Sequence, residues 1–68
     1  MESEHLAKAE RHIAEGESRL AAQKALIERM AGEGRDTALA EELLRSLEQA
    51  LEQWHVHRRL ILETLARE

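Results

Sequence analysis

Gly32-Glu33-Gly34-Arg35-Asp36 is the stretch that decides the fold, because the residues on either side of it form two heptad stripes that run back along each other. Before the break, Leu6, Ala9, Ile13, Gly16, Leu20, Gln23, Ile27 and Met30 follow at alternating spacings of three and four. That spacing puts them on one face of a helix, as the a and d positions of a coiled-coil seam. After the break the same rhythm runs through Ala40, Leu43, Leu47, Ala50, Trp54, His57, Ile61 and Thr64. The pattern predicts a single helical hairpin over residues 1–68, with helix one at about 3–33, a turn at 34–36 and helix two at about 37–66. Ser3 is placed to cap the first helix, and Gly34 to end it in the left-handed conformation. Asp36 offers an oxygen to the free amides of the second helix, and Glu41 and Glu42 lie near its positive end. Each helix would be roughly 45 Å long.

Folding the chain at the break pairs Leu6 with Thr64, Ala9 with Ile61, Ile13 with His57 and Gly16 with Trp54. Leu20 then meets Ala50, Gln23 meets Leu47, Ile27 meets Leu43 and Met30 meets Ala40. Several layers set a large side chain against a small one, as close packing requires. Gly16 against Trp54 is the sharpest expectation. A glycine inside a helix costs about 1 kcal/mol relative to alanine, and room for the only aromatic ring would explain carrying it.

Composition supports long helices laced with surface charge: 43% of residues are apolar and 35% charged, with 1% aromatic and no proline. The absence of cysteine excludes disulfides and thiolate metal sites. A formal charge of −4 argues against a phosphate-backbone reader, which normally carries a basic excess. No apolar run approaches the ~20 residues of a membrane span, and the opening Met1-Glu2-Ser3-Glu4 is too acidic for a signal peptide. The expected location is cytoplasmic.

Helix two is apolar beyond its seam. Leu44, Leu51 and Leu65 form a second stripe, to which Leu39, Leu60 and Leu62 add, and the register above offers them only Ser3, Glu17 and Lys24 on helix one. Hiding such a stripe twice over in a symmetric dimer, at ~25 cal/mol per Å², is worth several kcal/mol. The expectation is therefore an all-α, coiled-coil-like hairpin that dimerises into a four-helix bundle. Its interface residues would be Leu44, Leu47, Leu51, Trp54, Arg58, Ile61, Leu62 and Leu65. The competing occupant of the stripe is a helix of another protein. Arg58 interrupts the stripe near Glu10, and a bridge between them would fix the helix alignment.

Candidate chemistry is sparse. His5 and His12 are two turns apart, about 10.5 Å along the axis, and His55 and His57 point to different sides of their helix. Only His12 and His57 can approach, and two nitrogen ligands fall short of a zinc site. Glu2 with His5 and Glu52 with His55 have the Glu-x-x-His spacing of diiron bundles, but at frayed or outer positions and without seam glutamates to complete a site. There is no glycine-rich phosphate loop and no obvious pocket. Neither enzymatic activity nor a cofactor is expected.

In size and architecture the chain resembles the plasmid-encoded repressor-of-primer hairpin, which dimerises and binds paired RNA loops; no motif is shared. Lys8, Arg11 and Arg19 lie on helix one, interleaved with Glu10, Glu15 and Glu17. More specifically, His12-Ile13-Ala14-Glu15-Gly16-Glu17, then Gly34-Arg35-Asp36-Thr37-Ala38-Leu39-Ala40, then His57-Arg58 resembles short, uncharacterised helical-hairpin proteins of rhizobia and related alphaproteobacteria. That resemblance implies a bacterial cytosolic setting and transfers no activity. The functional expectation is a homodimeric interaction or assembly module. The alternatives are a small RNA- or nucleic-acid-binding regulator and, third, a histidine-dependent metal binder.

Overall fold

The computed structural model describes residues 2–68, the side chain of Glu2 apart. Two helices, α1 (Glu2–Gly32) and α2 (Ala38–Arg67), lie antiparallel along a rod of 55 × 14 × 13 Å. No strand occurs among the described residues.

The turn is built by local chemistry. Gly34 has φ 73°, the left-handed conformation that only glycine adopts without a Cβ penalty. Its N–H donates to the Ala31 carbonyl at 3.0 Å and the Arg35 N–H to the Met30 carbonyl at 2.9 Å. Together these bonds close the Schellman arrangement and satisfy carbonyls at the end of α1. Asp36 Oδ1 then accepts from the Ala38 N–H at 2.9 Å, which covers one of the free amides of α2. Thr37 occupies the N-cap position itself, with its carbonyl accepting from Glu41 N–H at 2.9 Å. Its hydroxyl turns to Glu41 Oε2 at 3.2 Å. At the other end α1 already includes Glu2, so Ser3 lies within the first turn and is not the cap.

α1 presents the expected seam: Ala9, Ile13 and Gln23 are buried, and Leu6, Gly16, Leu20, Ile27 and Met30 are partly buried. α2 does not. Its inward residues are Ala40, Leu44, Leu47, Leu51, Trp54, Arg58, Ile61 and Leu65, whereas Leu43, Ala50, His57 and Thr64 are exposed. The helix has rotated by about one seam position. The reason is size: a 3.5-residue rhythm starting from Ala40 can continue in either phase. Turning Leu44, Leu51 and Leu65 toward α1 removes more apolar surface from water than turning Leu43, Ala50, His57 and Thr64 would. The layers shift with it, so that Gly16 faces Leu51, one turn before Trp54.

The hairpin leaves much of itself exposed. No large side chain is fully buried among the described residues. The accessible surface is 5224 Å², whereas a compact protein of 7.8 kDa exposes about 4,400 Å². The excess is roughly 800 Å², as expected of a rod 55 Å long and 14 × 13 Å across.

Candidate functional site

The exposed large apolar side chains are Leu39, Leu43, Leu60 and Leu62, at 81, 51, 53 and 38%. All four belong to α2. The first three fall on one row with helical spacings of four and three: Leu39, Leu43, Ser46, Ala50, Gln53, His57, Leu60, Thr64. Every member of that row is exposed and none is an Asp, Glu, Lys or Arg, in a chain where 35% of residues are charged. The Thr64 hydroxyl turns back onto its own helix and donates to the Leu60 carbonyl at 3.0 Å. The corresponding flank of α1 carries exposed Lys8, Glu15, Arg19 and Arg29. The opposite flank of α2 carries exposed Glu41, Arg45, Glu48, Glu52 and Arg59. The row is thus uncharged but mixed, with Leu39, Leu43, Ala50 and Leu60 apolar and Ser46, Gln53, His57 and Thr64 polar.

The residues expected to form an interface fall elsewhere. Leu44, Leu47, Leu51, Trp54, Arg58, Ile61 and Leu65 are turned toward α1, and Ile61 is 4% exposed. Leu62 lies on the charged flank. The stripe of Leu44, Leu51 and Leu65 is therefore not surplus. The surplus is the row beside it, and the sequence signal that marks it is the absence of charge at successive steps of four and three from Leu39 to Thr64.

At the edge of this strip sits the one aromatic cluster. The His12 imidazole stacks on the Trp54 indole with ring centroids 4.1 Å apart and planes 9° from parallel. His57 meets the same indole edge-on, at 5.5 Å and 72°. His12 and His57, the pair expected to approach, thus each meet the same indole. Glu52 and His55 are both exposed, and the Glu2 side chain lies outside the described residues. Among the described residues no three His, Asp or Glu side chains converge as metal ligands.

Cross-helix polar contacts set the register. Gln23 Nε2 donates to the Ala40 carbonyl at 2.8 Å. Arg58 reaches Glu10 as expected, with Nε and Nη2 each 3.3 Å from Oε1. Both side chains of that bridge are about half exposed, which limits its energetic value to ~1 kcal/mol or less. Lys8, Arg11 and Arg19 remain interleaved with exposed Glu10, Glu15 and Glu17. No described helix is long and apolar enough to cross a membrane.

Surface depressions are open grooves along the rod. One of them, about 430 Å³, is lined in part by Arg19, Leu26, Leu43 and Leu47. It runs along the same side of the hairpin as the uncharged row. No protein-family model, curated protein or solved structure matches the chain.

Proposed function

We propose that this chain is a non-enzymatic protein–protein interaction or assembly module that works as a homodimeric four-helix bundle. The observation that carries the reading is the exposed, charge-free row on α2 from Leu39 to Thr64. Covering it in both copies would withdraw Leu39, Leu43 and Leu60 from water twice over, worth several kcal/mol at ~25 cal/mol per Å². A domain this small is itself stable by only about 5 kcal/mol.

Sedimentation of the purified chain tests this. The expected result is a dimer across micromolar concentrations that is lost on Leu43→Glu or Leu60→Glu and retained on Leu62→Glu, which alters the charged flank. A native chain that sediments as a folded monomer would overturn the proposal. Leu51→Glu is not informative here, since Leu51 packs on Gly16 inside the hairpin.

A further inference from the structure

We infer that the second copy lies antiparallel, α2 against α2, about a twofold axis that passes between Ala50 and Gln53. This rests on the self-association proposed above and adds its geometry. The uncharged row is close to self-matching about that point. Antiparallel superposition sets Leu43 against the partner's Leu60, Ser46 against the partner's His57 and Ala50 against the partner's Gln53. Two helices that cross approach most closely at the axis and diverge beyond it, so the position needs small residues at the centre and larger ones outside. Ala50 and Ser46 are small, each facing a longer side chain of the partner, Gln53 and His57, and the leucines lie outward.

One polar pair of the row is matched in this register, Ser46 with the partner's His57, while Gln53 lies beside the axis against Ala50. The Ser46 hydroxyl and the His57 imidazole each offer a donor and an acceptor, so the contact covers them without stranding either. A parallel arrangement would set His57 against His57 and align the two helix dipoles unfavourably. Centring the contact on α1 would bury Lys8, Glu15, Arg19 or Arg29 without a counter-charge. An isologous contact of this kind uses the same row from both molecules and leaves none over.

The chain has no cysteine, so single cysteines report cleanly. Leu43→Cys and Leu60→Cys chains, mixed, refolded together and oxidised mildly, are expected to give a disulfide-linked heterodimer that neither gives alone. A Leu43→Cys chain that cross-links with itself would overturn the antiparallel register and leave self-association standing. So would a mixture that sediments as a dimer but forms no cross-link. A native chain that does not dimerise would sink both. Should the cysteines weaken the dimer, spin labels at positions 49 and 63, both off the contact, decide the point. The antiparallel axis places the two position-63 labels about 35 Å apart along the rod, at 1.5 Å per residue, and the two position-49 labels much closer. Equal separations for both pairs would overturn the register.

Discussion

The backbone of α1 at Gly16 passes so close to Leu51 of α2 that a Cβ built on the glycine would lie 3.0 Å from Leu51 Cδ1. Gly16 is thus a place where one helix admits the side chain of the other. Gly16→Ala sets a gain in helix propensity of about 1 kcal/mol against displacement of the end of a flexible, partly exposed side chain. In a Leu51→Ala background nothing opposes the gain, and the full ~1 kcal/mol is expected there, with a smaller gain in the native chain. A thermal-denaturation cycle that gives equal effects in both backgrounds would show that the two residues do not touch. Gly16→Val should overpack the site and lower stability by about 1–3 kcal/mol.

Gln23 is the one buried polar side chain among the described residues, and its amide donates across the seam to the Ala40 carbonyl at 2.8 Å. Gln23→Ala removes both the bond and the packing and is expected to cost about 1–3 kcal/mol in urea denaturation. Gln23→Leu replaces the amide with apolar bulk of similar reach and should cost clearly less. If the leucine variant lost as much stability as the alanine variant, the hydrogen bond rather than the packing would carry the contribution of Gln23.

Trp54, stacked on His12 at 4.1 Å, is the chain's only Trp, Tyr or Phe and so its fluorescent reporter. Trp54→Ala should lower stability by about 3 kcal/mol and His12→Ala by about 0.5–1.5 kcal/mol. His12→Ala is also expected to alter the emission of the folded state. His55→Ala, on the other flank of α2, should leave that emission unchanged. Identical spectra for the native chain and His12→Ala would show that the stack does not persist in solution.

The turn concentrates two local requirements at neighbouring positions, a left-handed residue and a helix cap. Gly34→Ala forces a Cβ into φ 73° and should cost about 1–2 kcal/mol. Asp36→Ala frees the Ala38 amide and should cost about 1 kcal/mol, with Asn in place of Asp restoring most of it. Calorimetry of the three variants checks both, and a neutral Gly34→Ala would mean that the turn relaxes to another conformation.

The hairpin and its turn were legible because each rests on local chemistry: a single apolar phase along α1, a glycine after its end, an aspartate before the next helix. Arg58 with Glu10 was legible because long side chains tolerate an error of a turn in register. The face of α2 was not. Leu43 beside Leu44, Ala50 beside Leu51 and Thr64 beside Leu65 allow two phases of the same rhythm, and periodicity alone does not weigh a leucine against an alanine or a threonine. The choice of phase moved the surplus from Leu44, Leu51 and Leu65 to the neighbouring row, and turned Gly16 from Trp54 to Leu51. The His12 stack followed from the same shift.

The two flanks of α2 also bear on how large any assembly grows. One side carries no charge from Leu39 to Thr64, and the other displays Glu41, Arg45, Glu48, Glu52 and Arg59 to water. If the uncharged row seats a second copy, as proposed, that edge is used up at the first encounter, and what is then turned outward is a hydrated ridge of carboxylates and guanidinium groups. Growth would then stop at a finite particle, where a rod sticky on both edges would run on into fibres.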